Sequence, residues 1–428
     1  MKTVSPAAAE WRSHWPLVAT TAVAMSLAAL STAIFGVMLG PIEAELGWTR
    51  AQISTGPAMV SIMGLLLAAP AGFLIDRIGA RKVGIMVVLI SCTAIAAMSL
   101  VGNQLWHWWA AWGLFAISGA FTSTVWLAPV STTFNAGRGM AIALTISGTG
   151  ISMALAPSIA EYFVQHHSWR LGFVGLAAIW FAITMPLVLA FVPPHNRPRT
   201  QESQATTANA TTTDATSPAP AQELRGLTPR QGFGSPTFYL LFFASLVSTI
   251  TGVALVLNLV PVLTFTGLSR VDAVAIVGSM GIASITGRII GGWLMDRYDV
   301  RKLAVYASFI SLAFPVVLLA FPGVTWIAMA GVIAYGLTGG MKMNAIVYLV
   351  GTHLGLRSFG LFFGTISITT TVATGTGPLI ANYIYDLSQS YAPVIWAAIP
   401  GFLLSAALFA LLGPAPDFSP PPAEASHP

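Results

Sequence analysis

The sequence has very little charge. Only 8% of its 428 residues are charged, while 55% are hydrophobic, whereas a soluble domain carries roughly 25% charged residues. A chain of this composition cannot cover a surface that faces water, so most of its surface is expected to contact the lipid bilayer. The net charge of +5 is therefore no evidence for nucleic-acid binding, and no nucleic-acid partner is expected.

Cysteine and catalytic motifs are also scarce. The single cysteine, Cys92, lies inside an apolar run and can form no disulfide within the chain. The sequence contains no G-x-S-x-G turn, no G-x-x-x-x-G-K-[ST] loop and no H-E-x-x-H motif. These absences argue against an enzyme and against an ATP-driven pump, and they predict neither a cofactor nor a metal.

Long apolar runs are abundant. A membrane-spanning helix needs about 20 mostly apolar residues. The first run is too long for the roughly 7–15 apolar residues of a cleavable signal, so it is expected to be a helix of the mature chain. Together the runs predict an all-α membrane protein with 12 transmembrane helices, at about 16–39, 51–75, 83–102, 107–130, 139–164, 171–192, 237–265, 271–295, 303–320, 324–349, 359–384 and 391–412.

Lys and Arg are unevenly distributed among the loops. If the N-terminus is cytoplasmic, 14 of the 19 fall in cytoplasmic segments and 3 in the opposite loops. Because cytoplasmic loops are enriched in Lys and Arg, both termini are predicted to be cytoplasmic. The expected location is the cell inner membrane, with the lipid bilayer as a partner.

One stretch differs from the rest of the chain. Residues 193–235 are rich in Ala, Thr, Ser, Pro and Gln, a composition that cannot bury a core, and they are predicted to be a flexible cytoplasmic linker. The linker would separate a six-helix bundle at 1–192 from a second at 236–413. A short cytoplasmic tail at 414–428 would follow.

A charged cassette occurs once in each half, after the second predicted helix. Its two copies match at an offset of 220 residues, and they are Gly72, Asp76, Arg77, Arg81 and Lys82 in the first half and Gly292, Asp296, Arg297, Arg301 and Lys302 in the second. The second copy departs from the first at Asp299, where the first has Gly79. Two six-helix halves in parallel repeat are an arrangement of secondary transporters.

This repeat and its cassette resemble the major facilitator superfamily. The resemblance implies two pseudo-symmetric six-helix bundles, a monomer, and a gating role for Asp76, Arg77, Arg81, Asp296, Arg297 and Arg301, which would latch the cytoplasmic side while the transporter faces outward. The alternative is that the basic residues only anchor the loops on the cytoplasmic side. The two aspartates argue against that alternative, because anchoring needs no carboxylate.

Shorter motifs resemble one branch of that superfamily, the monocarboxylate porters and oxalate–formate exchangers. They include the run from Gly47 to Arg50 and the run from Ser168 to Arg170, together with Arg288 four residues before Gly292. That branch carries an arginine at this place in its eighth helix. The resemblance implies that Arg288 is the partner of a substrate carboxylate.

The depth of Arg288 supports the same interpretation. It lies eight residues before the cytoplasmic end of its helix, or about 12 Å at 1.5 Å per residue, near the middle of a core about 30 Å thick. A charge there is costly and usually marks a substrate or ion pathway. Lys342 has a similar depth, and no carboxylate has an obvious place beside either cation, so an anionic ligand would complete the site. The alternative is that both cations bond to backbone carbonyls or extend toward the interface.

Three further residues are candidates for substrate binding, although ordinary packing between helices is an equal alternative. They are Asn258 near the kink expected at Pro261, Tyr335, and Ser284, which stands where some porters of the branch have an aspartate. The helix-1 lysine of the animal porters also has no counterpart. Proton coupling would then fall to another group, with Lys342, Glu161, Asp386 and His107 as the candidates, or the protein would exchange anions without a proton.

The predicted function is secondary active transport of small organic anions, mono- or dicarboxylates, by alternating access, as proton symport or as anion exchange. The expected partners are a small-molecule carboxylate and protons. Export of drug-like amphiphiles is the alternative within transport. A transporter-like membrane sensor is the alternative outside it.

Overall fold

A computed structural model of the chain describes residues 6–194, 226–355 and 357–416, apart from the side chains of residues 6, 7, 65, 68–74 and 76. The predicted gating carboxylate of Asp76 and most of the predicted linker therefore lie outside the described atoms. The described part is helical throughout, except for one isolated bridge between Gly226 and Gly355.

The helices fall into two sets of similar length and order. The first half contains α1 (Pro6–Leu46), α2 (Arg50–Ile78), α3 (Ala80–Ala97, followed by a 3₁₀ turn at Met98–Leu100), α4 (Leu105–Thr133), α5 (Arg138–His166) and α6 (Trp169–Phe191). The second half contains α7 (Pro229–Phe233), α8 (Pro236–Val256), α9 (Leu259–Phe265), α10 (Arg270–Met295), α11 (Val300–Ser311), α12 (Ala313–Ala320), α13 (Thr325–Leu354), α14 (Phe359–Ser388) and α15 (Ala392–Ala410).

These helices form the twelve predicted spans. Nine spans in the described part of the chain are long and apolar enough to cross a membrane by length and composition alone. The other three, α2, α13 and α14, have 29, 30 and 30 residues. Since 20 residues suffice to cross the hydrocarbon core, the prediction of an all-α membrane protein with twelve transmembrane helices is confirmed.

Two spans of the second half are interrupted, although the sequence analysis took 237–265 and 303–320 as continuous. The first is broken between α8 and α9, and the second between α11 and α12. Pro261 lies four residues after Leu257, at the first break, and Pro315 lies four residues after Ser311, the last residue before the second break. A proline has no N–H for the carbonyl four residues earlier and its ring clashes with that carbonyl, so both breaks follow from the sequence, as did the kink expected at Pro261.

The two copies of the cassette make different turns. Between α2 and α3 the chain turns at Gly79, whose φ of 94° is a conformation that glycine adopts readily. At the matching position Asp299 has φ −59°, and its carboxylate accepts a hydrogen bond from the Arg301 N–H at the start of α11. Asp299 therefore caps a helix, which gives the second copy an ordinary helix start in place of the glycine turn.

The halves pack alike and meet along two pairs of helices. Within the first half α1 packs against α5 and α2 against α4, and the second half repeats this with α8 against α14 and α10 against α13. Across the halves α2 contacts α14 and α5 contacts α10. Because each half has an even number of spans, both chain ends lie at one end of the bundle, called the terminal side below. The other end is called the opposite side.

Residues 226–235, which the sequence analysis assigned to the linker, are packed against the second half. The Leu227 N–H donates to the carbonyl of Leu354 at 2.9 Å, and α7 begins with a capping box between Thr228 and Gln231. Gly232 lies against the ring of Phe362. The second half therefore begins before the predicted boundary at 236.

Packing inside the first half depends on a close approach between α1 and α5. A Cβ atom at Gly148 would overlap the carbonyl oxygen of Ala22, so only glycine allows the two helices to approach this closely.

We expect Gly148→Val to destabilise the protein by about 1–3 kcal/mol through overpacking, measured as a lower thermal unfolding temperature in detergent. Gly113→Val on α4 is the control, because a Cβ there would meet no atom within 4 Å. Equal losses in the two variants would contradict this expectation.

Candidate functional site

Arg288 lies where the two halves meet. From α10 its Nη1 donates to the carbonyl of Ile146 at 2.8 Å and to Oγ1 of Thr149 at 3.2 Å, both on α5 of the first half. Its own carbonyl accepts a hydrogen bond from Asn344 at 3.1 Å. The side chain is half-buried. Arg288 is thus a cation that touches both halves of the protein.

The hydrogen-bonding capacity of Arg288 is only partly used. A guanidinium carries five N–H donors, and the bonds to Ile146 and Thr149 both start from Nη1. Its Nε is buried and has no partner among the described residues. The three ion pairs of the described part of the chain all involve other arginines. The guanidinium can therefore accept an anion without first losing a carboxylate partner.

A glycine on the neighbouring helix holds the Arg288 turn in place. A Cβ atom at Gly340 of α13 would lie 2.2 Å from the carbonyl oxygen of Ser284 and 3.0 Å from the backbone nitrogen of Arg288. Only glycine allows α10 and α13 to approach this closely. Ser284, a predicted substrate-binding residue, therefore lies one turn from Arg288 at the contact between these helices.

Lys342 faces a different region. Its Nζ donates to Oγ of Ser248 on α8 and to Oγ of Ser311 at the end of α11, both at 3.0 Å. Nζ also lies 5.1 Å from the ring centroid of Phe402 and 5.9 Å from that of Tyr335. All of these groups belong to the second half, and the lysine is 7% exposed. In this structure Arg288 and Lys342 therefore do not form one site.

Tyr335 and Asn258 are also placed away from Arg288. The ring of Tyr335 packs between Phe314 and Phe402, and its hydroxyl lies against Gly252 of α8. Asn258 is fully buried at the break between α8 and α9, where its Oδ1 accepts a hydrogen bond from Asn382 at 2.8 Å. Their assignment to substrate binding stays a prediction.

The described cassette residues contact only their own halves. Arg81 donates to the carbonyl of Leu189, Arg301 donates to the carbonyl of Leu412 at 2.8 Å, and Arg297 lies 4.1 Å from the ring centroid of Trp293. Arg77 and Asp296 are exposed. The predicted latch between the halves is therefore not formed by these described residues in this conformation.

A pair of clamps that was not predicted from the sequence joins the halves on the opposite side. In the first clamp, Asp386 of α14 accepts hydrogen bonds from the backbone N–H groups of Arg50 at 3.1 Å and Ala51 at 2.8 Å. These are the first residues of α2, whose N–H groups have no partner within the helix and carry partial positive charge. A carboxylate of the second half thus caps a helix of the first.

The side chain of Arg50 extends the first clamp. Its Nε donates to Glu43 at 2.8 Å, its Nη1 donates to the Tyr391 hydroxyl at 3.1 Å, and its guanidinium lies 3.8 Å from the ring centroid of Tyr385. The Tyr391 hydroxyl in turn donates to Asn382 at 2.7 Å. The network continues from Asn382 to Ser54 and Asn258.

The second clamp joins the other pair of helices. Arg270, the first residue of α10, donates through Nε to both carboxylate oxygens of Glu161 on α5, at 2.6 and 2.8 Å. Its Nη2 donates to the carbonyl of Val37 on α1 at 2.8 Å. Glu161 is 5% exposed. The clamps at Asp386 and Glu161 together are called the opposite-side seal.

The halves are joined on the opposite side and at mid-depth. Each described hydrogen bond across the halves lies in the seal, at Arg288, or between Ser61 and the carbonyl of Thr371. No described hydrogen bond joins the halves at the terminal-side ends of the paired helices. The described conformation is therefore sealed by hydrogen bonds on the opposite side.

The seal had a partial signal in the sequence. Glu161 and Asp386 lie near the opposite-side ends of their predicted spans, and Arg50 and Arg270 lie in the loops on that side. Charges of both signs at one end of a low-charge protein are candidates for pairing, but the residues that meet lie 109 and 336 positions apart. Only the packing of the halves decides which charges meet.

Similar proteins are transporters. The sequence matches the family described as Major Facilitator Superfamily over residues 21–358 and again over 267–428. It is 23% identical over 359 residues to Monocarboxylate transporter 12-B of Danio rerio, covering 79% of this chain and 74% of that protein. It is 25% identical over 390 residues to the Gallate transporter of Pseudomonas putida, covering 81% and 83%.

The fold also matches a solved transporter structure. The crystal structure of a D-xylose–proton symporter superposes with a TM-score of 0.72 over 94% of this chain and 98% of that chain. The identity is 14%, so the likeness concerns the fold alone. This agreement supports two bundles of six transmembrane helices.

The opposite-side seal generates a prediction about conformation. Combining Arg270→Ala with Asp386→Asn removes charged hydrogen bonds from both clamps, each contributing about 1–2 kcal/mol. We expect the population of the conformation that is open on the opposite side, relative to the sealed one, to rise by a factor of roughly 5–30 for each clamp removed. Spin labels on cysteines at positions 166 and 387, in a Cys92→Ala background, should then report a longer mean distance across that side.

Arg170→Ala provides a matched control for the seal. It breaks an ion pair of similar geometry, between Arg170 and Glu45 at 2.9 Å, that lies within the first half. We expect the distance between the two labels to stay unchanged in this variant. An equal increase in the control, or no increase in the double variant, would mean that the clamps do not hold the halves together.

Proposed function

This chain belongs to the Major Facilitator Superfamily and is a membrane transporter, and we propose that it carries small organic carboxylates by alternating access. Arg288 would bind the substrate carboxylate at mid-depth. The terminal side is assigned to the cytoplasm, because most Lys and Arg of the loops lie there, and the membrane is taken to be the cell inner membrane.

The observation that carries this proposal is the incomplete set of partners around Arg288. A cation at mid-depth is costly, and this one has a buried Nε without a partner and no described carboxylate beside it. An arginine binds a carboxylate through two parallel hydrogen bonds. A carboxylate substrate supplies both the charge and the acceptors that the described site lacks.

The relatives support the same chemistry. One is named for monocarboxylates and another for gallate, and gallate is an aromatic carboxylate. At identities of 22–25% the exact substrate does not carry over. We therefore propose the shared class, mono- and dicarboxylates including aromatic ones, as the substrates of this chain.

The contacts of Arg288 suggest how binding is coupled to movement. Its Nη1 bonds to α5 across the interface between the halves. A carboxylate that takes over these donors weakens one of the cross-links at mid-depth and leaves the opposite-side seal as the main connection. The seal would open as the cassette residues on the terminal side, Asp76 and Arg77 among them, latch the halves together there. This alternation exposes the site to one side at a time.

A second candidate substrate class is favoured by an apolar cavity near the start of α1. The cavity measures about 350 Å³ and is lined by Trp11, Trp15 and Val18 of α1, Leu144 of α5 and Ile285 of α10. It lies close to the Arg288 turn and joins both halves. An amphiphile with an acidic group would fit this arrangement, so drug-like amphiphiles belong in any substrate panel.

Arg288 provides the direct test of the proposal. In proteoliposomes we expect uptake of at least one labelled carboxylate from a panel of mono-, di- and aromatic acids. Arg288→Ala should reduce that uptake by about 30-fold or more, since removing one partner of a buried charge pair costs roughly 2–5 kcal/mol. Arg288→Lys should recover little, because an ammonium cannot make the two parallel hydrogen bonds.

Arg230→Ala is the control for loss of a positive charge. Arg230 is exposed on α7 and its side chain makes no described hydrogen bond or ion pair. Carboxylate uptake by the Arg230→Ala variant should equal that of the wild type. If Arg288→Ala transports normally, Arg288 is structural, and if only amphiphiles move, the second candidate replaces the first.

A further inference from the structure

Lys342 is a second cation inside the protein, and it has a complete set of neutral partners. Ser248 of α8, Ser311 of α11 and the ring of Phe402 of α15 surround its Nζ, and Tyr335 of its own helix supplies a second ring. The phenol of Tyr335 is the titratable group among these neighbours. Lys342 forms no ion pair with any carboxylate of the described residues.

The hydrogen bonds around Lys342 suit an uncharged amine. A neutral amine has two N–H donors and one lone pair, whereas an ammonium has three donors and no acceptor. Ser311 directs its own hydroxyl toward the carbonyl of Ala307 at 2.8 Å and can accept from Nζ. Ser248 has no other described partner and can donate to the lone pair of Nζ. Both serines are therefore satisfied when Lys342 carries no charge.

The same pocket also accommodates the charged form. The faces of two aromatic rings lie within 6 Å of Nζ, a distance at which they attract a cation, and both serine hydroxyls can turn to accept hydrogen bonds. A lysine paired with a carboxylate would keep its proton permanently. Because Lys342 has hydroxyls and rings in place of a carboxylate, it can gain and lose a proton without breaking an ion pair.

The two carboxylates among the other candidates for a proton site have partners elsewhere. Glu161 accepts two hydrogen bonds from Arg270, and Asp386 caps the first turn of α2. His107 lies at the opposite-side start of α4, with its ring tilted 44° against that of Trp106 and its buried Nδ1 without a described partner, and no described contact links it to Arg288. Of the four groups considered from the sequence, Lys342 is the one that lies next to the helix contact holding Arg288.

A single helix connects Lys342 to Arg288. On α13, Gly340 packs against the backbone of Ser284 and Arg288, and Asn344 donates to the Arg288 carbonyl. Lys342 lies between these two positions and points to the opposite face of α13. A carboxylate bound at Arg288 therefore adds negative charge across α13 from Lys342, and in the low-dielectric interior this lowers the electrostatic cost of an ammonium there.

We propose that Lys342 is the proton-binding site of this transporter, separate from the substrate site and linked to it through α13. A proton from solvent adds to the lone pair of Nζ as the carboxylate binds at Arg288, so that one negative and one positive charge enter the membrane together. Coupling of this kind is reciprocal, and each ligand raises the affinity for the other by a factor of roughly 5–150. This inference rests on the proposed carboxylate function.

The first test compares two transport modes of Lys342→Met, whose side chain has a similar length without the amine. Exchange of labelled for unlabelled carboxylate at equal pH needs no net proton movement and should persist within about twofold of wild type. Both assays use a carboxylate concentration that saturates the variant, because Met mimics the uncharged lysine and the proposed coupling then weakens carboxylate binding. Uptake driven by an inward proton gradient, and proton entry triggered by the carboxylate, should both be lost. Arg288→Ala should lose exchange and gradient-driven uptake alike.

The outcomes separate this inference from the proposed function. If the wild type moves no carboxylate in either mode, the proposed function fails. If the wild type exchanges carboxylates but a proton gradient drives no uptake, the protein is an exchanger and the inference about Lys342 is wrong. The inference about Lys342 is also wrong if gradient-driven uptake survives in Lys342→Met. It is wrong as well if that uptake is lost in His107→Gln instead.

A milder pair of variants tests the site even if Lys342→Met fails to fold. Ser311→Ala removes one acceptor from Nζ, and hydrogen bonds to a charged group are the stronger ones. The pH for half-maximal gradient-driven uptake should therefore move to lower pH by roughly half to one unit. Ser308→Ala is the matched control, because Ser308 is equally buried on α11 and bonds only to the carbonyl of Ala304. If gradient-driven uptake has the same pH dependence in Ser311→Ala and in Ser308→Ala, the proposal is contradicted.

Discussion

The cost of charge inside a membrane determines how this protein is organised. With 8% charged residues, the chain keeps few ionised groups, and each one away from water needs a partner. The charges of the opposite-side seal have such partners: Arg270 with Glu161, and Asp386 with the first turn of α2. Arg288 is only partly satisfied and Lys342 has neutral partners. The two cations without a carboxylate are for that reason the groups to which a ligand and a proton were assigned.

The two pseudo-symmetric halves contribute different groups to the contacts between them. Both halves use the same helix pairs to meet, yet the helix breaks occur in the second half, which also supplies the side chains Arg270, Arg288 and Asp386. The first half answers them with both kinds of group: the side chains of Glu161 and Thr149, the carbonyls of Val37 and Ile146, and the N–H groups at the start of α2.

The charges that join the halves also explain why the cassette residues stay in their own halves. Clamps on the opposite side bring α2 to α14 and α5 to α10 at one end, and no described hydrogen bond joins the halves at the other ends of these pairs. A rigid half that tilts about the contacts at mid-depth cannot be closed at both ends at once. Arg288 lies at this depth and bonds across the interface, which places the proposed substrate site where both movements meet.

The sequence by itself determined the number of spans, the parallel repeat and the family, because each depends on local hydropathy or on short motifs. The breaks at Pro261 and Pro315 are equally local, although only the first was expected. Tertiary structure decided which way each residue faces and which charges meet. Membrane-spanning helices are largely apolar on every side, so the sequence does not reveal how each helix is rotated about its axis. Successive residues point 100° apart, and this rotation therefore decides whether a lysine faces the other six-helix bundle or the interior of its own bundle. For the same reason Arg288 and Lys342, predicted as one site, lie on opposite sides of α13, and the clamp between Arg50 and Asp386 depended on packing between residues 336 positions apart.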